Sequence, residues 1–520
     1  MIKAVFQLVI FVFLTIHGIG CKKNVDDPMI TSVKAVTSSP SFPIIKGLSA
    51  NPVVRLSITV PDDNPEQQFK SIKGTINAAA VNSIQQIDLY LTGAQPFVAG
   101  EPIATIQPSA NFEAKLDRKF MPGVYFIWFS IVLKADAGID GKIELNCTEL
   151  IHASGTSIAI TKDGTDHAKR IGVAVRKAGD DNIHTYRIPG LVTTDQGTII
   201  AVYDNRITGT KDLPANIDVG MSRSTDGGKT WEPMRVIMDM GAPHDNNGIG
   251  DPAILFDPIA KRIWVAALWS KGNRSIAGSL PGLSPDTTGQ FVLVSSDDDG
   301  RTWSTPQSIT PQIKDPKWHL LFNGPGNGIT MMDGKLVFAA QYWDEAKMPF
   351  STIVYSEDRG KTWKGNILGP KSNTTESQVV ETTPGKLMLN MRDNRGKYRS
   401  VATTTNMGST WTEHATSYSA LPDPVCMGSF IKANVQVGTL SKDVLFFSNP
   451  NTPSGRYNIT IKASTDLGET WSVSNQLLID ERQCYGYSAL SRIDEKTIGI
   501  LYEGTRDLYF VRVPVNELLK

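Results

Sequence analysis

A chain of 520 residues, 40% hydrophobic and 20% charged, has ample material for packed cores, which excludes wholesale disorder and leaves room for roughly two to four domains. Its 52 Lys and Arg are balanced by 52 Asp and Glu, so it lacks the basic excess that nucleic-acid binding requires. Forty-four Gly and 30 Pro, spread along the chain, imply many turns and short elements, which points to β structure.

The first twenty residues read as an export signal. Lys3 supplies positive charge, and the apolar run from Val5 to Ile16 is too short to span a bilayer. It ends in Gly18-Ile19-Gly20-Cys21, which resembles a bacterial lipobox and would make Cys21 a lipidated N-terminus. The protein is then expected in the periplasm or at the cell surface, with outer-membrane sorting because Lys22 follows Cys21. Any membrane attachment would come through that anchor. Residues 21–44, polar and rich in Ser and Pro, read as a tether.

From 45 to 165 the pattern is strands. Leu56, Ile58 and Val60 alternate with polar residues, as do Ile87, Leu89 and Leu91. Val124 to Leu133 is apolar on both faces and should lie at the centre of a sheet. These features predict a β-sandwich accessory domain, with carbohydrate binding as its candidate role. Cys147, Cys426 and Cys484 form no CxxC pair and read as buried thiols. None of the seven His falls in an HExxH motif, so no metal and no cofactor is predicted.

The segment 170–520 carries an internal repeat. Its copies are Ser224-Thr-Asp-Gly-Gly-Lys-Thr-Trp231, Ser296-Asp-Asp-Asp-Gly-Arg-Thr-Trp303, Ser356-Glu-Asp-Arg-Gly-Lys-Thr-Trp363, Thr404-Thr-Asn-Met-Gly-Ser-Thr-Trp411 and Ser464-Thr-Asp-Leu-Gly-Glu-Thr-Trp471. The Trp residues recur at intervals of 72, 60, 48 and 60. Asp followed two residues later by Gly makes a tight turn in which the Asp side chain accepts backbone N–H groups, and the Trp anchors the hairpin. One hairpin per blade predicts a propeller, and five visible copies plus a degenerate one give six blades. Ile171 to Arg176 and Leu508 to Val513 are natural partners for closing the ring. The acidic loop Ser295 to Gly300 lacks the glutamate that ends a calcium-binding EF-hand loop. The fold class is therefore all-β, with a six-bladed propeller behind a sandwich.

Five Asp boxes, with a more specific ordered set of residues, resemble the bacterial sialidases (neuraminidases). That set begins at Tyr186-Arg187-Ile188-Pro189 and the first box. It continues with Glu376-Ser-Gln-Val-Val-Glu381, Met391-Arg392-Asp-Asn-Arg395, Arg456, Tyr487 and Glu503. The resemblance covers about Ile171 to Leu519, and a lipobox with a sandwich in front is similar to sialidases of the Bacteroides group. It implies an exo-α-sialidase with retaining chemistry, acting as a monomer on sialylated glycoproteins, glycolipids and oligosaccharides.

The resemblance also implies roles. Arg187, Arg392 and Arg456 match an arginine triad that grips the sialic-acid carboxylate, a task suited to planar, permanently charged guanidinium groups. Glu503 matches the acid that holds the first of them. Tyr487 matches the nucleophile and Glu376 its base. A neutral phenol approaches a carbon already bearing a carboxylate without the repulsion an anion would meet, and sialidases are an exception to the two-carboxylate rule of glycosidases. Tyr485, two residues earlier, is the competitor for Tyr487. Asp212 matches the acid/base, with Asp204 and Asp218 as competitors, while Arg206 and Asp251 match substrate contacts. Arg399 and Arg482 are the alternatives to Arg456.

Two function classes fit the boxes: a hydrolase, and a non-catalytic propeller that binds glycans. A transferase on the same scaffold is a third. The triad with Tyr487, Glu376 and Asp212 fits only an enzyme. All these residues follow Arg170, so the propeller alone is expected to be competent.

Overall fold

The computed structural model describes residues 33–93, 97–272 and 274–519; the export segment and Cys21 lie outside them. The N-terminal part is a sandwich. One sheet runs Thr161–Lys162, Lys34–Ser38, Pro52–Val60, Gly123–Leu133, Ile84–Thr92 and Ala104–Ile106, so the strand that is apolar on both faces does lie between neighbours. The other is built on Lys142–His152, Gln67–Ile76 and Asn111–Phe120. Leu56, Ile58, Val60, Ile87 and Leu89 are buried, whereas Leu91, near the strand's end, is 36% exposed.

The tether over 21–44 is corrected at its C-terminal part. Lys34–Ser38 pairs antiparallel with Pro52–Val60, and Ile44–Lys46 pairs parallel with Ile171–Val173. Val33, Ala35 and Thr37 alternate into the core, a period-2 pattern written in residues so small that Ser and Pro nearby mask it.

Among the described residues, six sheets follow one another round a ring. The first comprises Thr185–Thr193, Ile199–Arg206, Ile217–Ser224 and Arg235–Met238. The innermost strands of the next four are Ile249–Asp257, the pair Leu320–Asn323 and Ile329–Thr330, Thr374–Thr383, and Ser429–Val437. The last sheet comprises Ser488–Asp494, Thr497–Glu503, Leu508–Pro514 and Ala168–Arg176. Its inner strand packs beside Thr185–Thr193, which closes the ring. Closure uses the two predicted partners: Gly172 opposes Val511 and Val173 opposes Phe510.

Each Asp box follows the third strand of its sheet, and the hydrogen bonds of the side chain at its third position stay inside the loop. In the second box, Asp298 accepts from the Thr302 N–H at 2.8 Å and hydroxyl at 2.6 Å, while the Gly300 N–H donates to the Ser296 hydroxyl at 2.9 Å. The residue before the glycine takes a left-handed φ, 62° at both Asp299 and Arg359, and reaches the preceding sheet. Asp299 accepts from Thr194, Thr198 and Arg223, and Arg359 donates to Asp257. The boxes thus fasten consecutive sheets. Because strands alternate in direction, these turns lie on the face opposite the starts of the inner strands.

The sandwich and propeller are not separable at Arg170. Ala168–Arg176 pairs through Ala168–Arg170 with Lys142–Glu144 of the sandwich and through Gly172–Arg176 with the last sheet of the ring. A continuous apolar core runs from Val54 and Phe129 to Tyr186, Tyr203 and Phe510.

Candidate active site

Three inner strands break register where they begin. Pairing shifts between Arg187 and Gly190, between Gly250 and Ala253, and between Thr374 and Ser377. Those breaks hold Arg187, Asp251 and Glu376. Extra residues in a strand re-aim side chains, and such bulges cluster beside functional sites. Ile188 has φ 55°, a conformation costing a β-branched residue roughly 1–3 kcal/mol, and Asp251 has φ 57°. The Ile188 N–H is secured by Glu503 at 2.9 Å, and the Asp251 N–H by Asp204 at 2.8 Å.

At the centre, the Tyr487 hydroxyl donates to Glu376 Oε1 at 2.5 Å. Arg392 Nη1 donates to Glu376 Oε2 at 2.6 Å and to the Tyr487 oxygen at 3.0 Å. Burial pushes the Glu376 carboxyl up, but Arg392 and the two hydrogen bonds outweigh it and hold the group below the usual carboxylate range. Burial, then the Glu376 charge, pushes the Tyr487 phenol well above its usual range. The pair is therefore a neutral phenol aimed at an ionised carboxylate, the arrangement needed for activating a weak nucleophile.

Arg187 lies over the Tyr487 ring at 5.2 Å and the Tyr485 ring at 4.5 Å. Glu503 holds it through Nε at 3.0 Å and Nη2 at 3.2 Å, and also accepts from the Tyr487 N–H at 2.8 Å. One buried carboxylate thus fixes the first arginine and the backbone of the tyrosine together. Arg456 lies 5.7 Å from the Tyr487 ring, completing three guanidinium groups around one phenol. The alternatives to Arg456 are committed elsewhere, Arg399 to Asn390 and the Cys426 carbonyl, and Arg482 to Asp480.

Asp212 is exposed on the loop after Ile199–Arg206, where its Oδ1 accepts from Arg206 at 3.1 Å. Oxygens of Asp204, Asp212 and Asp251 lie within 4.8 Å of one another, with Arg206 bound to Asp204 at 3.0 Å. Burial, and then the neighbouring carboxylates Asp212 and Asp204, push the Asp251 carboxyl well above the usual range. Arg206 is buried, and its donors serve Asp204, Asp212 and the Thr210 carbonyl, so in this conformation it holds the acid loop. Asp204 is the buried support of this group, while Asp218 sits apart near Asp239 and His244.

The nine described residues given a role from sequence fall into this one constellation, whereas the competitors Asp218, Arg399 and Arg482 do not take such places. Sequence reasoning missed Asp204 as the support of Arg206 and Asp251, and Glu503 as a clamp on the tyrosine backbone. It also missed Asn323, which donates to the Asp251 carbonyl at 2.6 Å. The last comes from a strand of another sheet, and no local pattern announces it.

Residues 188–490 match the family described as BNR repeat-like domain, and residues 31–156 match the N-terminal domain of BNR-repeat neuraminidase. The chain is 47% identical over 423 residues to a sialidase of Bacteroides fragilis, covering 79% of this chain and 77% of that one. It is 34% identical over 336 residues to a sialidase of Micromonospora viridifaciens, 62% of this chain and 50% of that one. The solved structure of the Hadza microbial sialidase Hz136 matches with a TM-score of 0.85 and 39% identity, over 93% of this chain and 100% of that one. With the site already in view, these matches place the chain in the BNR-repeat sialidase family.

Proposed function

We propose that this chain is an exo-α-sialidase that removes terminal sialic acid from glycans with retention of configuration. The observation that carries this reading is the 2.5 Å hydrogen bond from Tyr487 to Glu376 inside three arginines. Arg187, Arg392 and Arg456 bind the carboxylate on the anomeric carbon. As the Tyr487 oxygen attacks that carbon, its proton passes to Glu376, and Asp212 protonates the departing glycosidic oxygen. A sialyl-tyrosine results. Asp212, now ionised, takes a proton from water, whose oxygen attacks the same carbon; the tyrosine oxygen leaves and recovers the proton from Glu376. Exposure of Asp212 suits this role, since it must meet both the leaving alcohol and water. Release of 4-methylumbelliferone from its α-sialoside tests the reading; a folded protein without turnover would return it to a glycan-binding propeller.

A cleft of about 530 Å³ between the two parts supports glycan binding by the sandwich. Phe97 and Trp128 line one wall, and Arg482 and Gln483, which lead into Tyr485–Tyr487, line the other. Phe97→Ala should weaken turnover of a sialylated polymer while sparing the aryl sialoside. Export with lipidation at Cys21 is likewise proposed, tested by loss of palmitate labelling in Cys21→Ala.

A further inference from the structure

Two arginines of the triad are held by carboxylates, Arg187 by Glu503 and Arg392 by Glu376. Arg456 is held differently. Its Nη1 donates to the Tyr485 carbonyl at 2.9 Å and its Nη2 to the Val425 carbonyl at 3.2 Å. Its aim therefore depends on how rigidly those two carbonyls are placed.

Val425 has φ 60°, in the left-handed region that a β-branched residue enters only under constraint. The constraint comes through the next residue, held at both its N–H, which shares a peptide plane with the Val425 carbonyl, and its own carbonyl. The Cys426 N–H donates to Asp423 Oδ1 at 2.9 Å, and the Cys426 carbonyl accepts from Arg399 Nη1. Asp423 Oδ2 accepts from Asn449 Nδ2 at 3.0 Å and lies 3.6 Å from Arg399. Lys462 in turn donates to Asn449 Oδ1 at 2.6 Å, which turns the amide so that its N–H₂ faces Asp423.

All four side chains are buried, none exposed by more than 1%. None takes part in the proposed chemistry. Burying two cations with one carboxylate is unfavourable unless their hydrogen bonds are satisfied, and here those bonds converge on one strained turn.

We propose that Asp423, backed by Arg399, Asn449 and Lys462, is a positioning residue that sets the Val425 carbonyl and through it aims Arg456 at the substrate carboxylate. The proposal rests on the sialidase reading, so its test is binding rather than turnover. Calorimetry with the dehydrated sialic-acid analogue would compare the full-length wild type with Asp423→Asn, Arg456→Lys and the double variant.

Asp423→Asn should weaken binding about fivefold or more, and Arg456→Lys about tenfold. The double variant should be no weaker than Arg456→Lys by more than about twofold, because residues acting through one another are not additive. Fully additive losses, or a folded Asp423→Asn with wild-type affinity, would overturn the proposal. Should Asp423→Asn lose its cooperative melting transition, Lys462→Met tests the same chain. It should weaken binding about threefold in the wild-type background and not at all beside Arg456→Lys; unchanged affinity overturns the proposal. A wild type that binds no analogue contradicts the sialidase reading instead.

Discussion

The rim and the centre of the ring both rest on hydrogen-bonded carboxylates, but they use them in opposite ways. At the rim, Asp226, Asp298, Asp358 and Asp466 accept from Thr four residues ahead and Ser two behind, all within one loop. At the centre, Glu503 accepts from Arg187, Ile188 and Tyr487, and Glu376 accepts from Arg392 and Tyr487, partners up to 316 residues away. A rim carboxylate shapes its own turn and recurs four times, with the Asn406 amide taking its place in the remaining box. A central carboxylate exists only once the ring has closed. Damage to the rim should therefore cost stability, and damage to the centre should cost chemistry.

The sharpest way to break that division is Tyr487→Phe. It keeps the ring and its packing but removes the attacking oxygen, and kcat/KM should fall by about 10³ or more with little change in Tm. Glu376→Gln should match it, because an amide cannot take the phenolic proton, and the double variant should be scarcely worse than either alone. The wild-type pH profile belongs to the same test. Glu376 must be ionised and is held below the usual carboxylate range, so activity should survive acidification past pH about 4.5 before the acid limb appears.

Asp212→Asn comes next and should split by substrate. Sugar leaving groups need the proton and should lose about 10²-fold or more, while an aryl sialoside should keep much of its first step. Equal losses on both would mean that Asp212 positions substrate and does not protonate it.

Arg456→Lys should cost about tenfold in kcat/KM, or about 1.4 kcal/mol, because an ammonium cannot reproduce the two parallel hydrogen bonds of a guanidinium. The smallest catalytic effect belongs to the rim. Asp358→Ala removes bonds from the Thr362 N–H, the Thr362 hydroxyl and the Ser356 hydroxyl. It should lower stability by about 1–2 kcal/mol while kcat/KM stays within about twofold. A tenfold loss of turnover there would erase the distinction between rim and centre.

The same contrast explains what could be read from the sequence. The boxes were legible because cause and effect lie within eight residues: Ser224, Asp226, Gly228 and Trp231 make their own turn. Ring closure by Ile171 to Arg176 was legible because both ends of the segment carry strand pattern. Arg187, Arg392, Arg456 and Tyr487 came through resemblance, since a single Arg or Tyr has no local mark of its partners. What stayed hidden is long-range. Lys34–Ser38 looked like tether because its strand pattern is written in Ala and Thr, and it pairs with a strand reached only after a turn. The role of Ala168–Arg176 in both the sandwich and the ring cannot be seen until Lys142–Glu144 and Leu508–Val511 flank it. Asp204 looked like a rival to Asp212 and is its buried support, a difference set by burial alone.

The central claim is that Tyr487, deprotonated by Glu376, attacks the anomeric carbon. It is tested most directly by incubating the full-length protein with a 3-fluorosialyl fluoride, whose intermediate is slow to hydrolyse, and mapping the labelled peptide by mass spectrometry. One sialyl adduct is expected, on Tyr487, and it should disappear in Tyr487→Phe. An adduct on Tyr485 or on a glutamate, or an active enzyme that forms none, would contradict it.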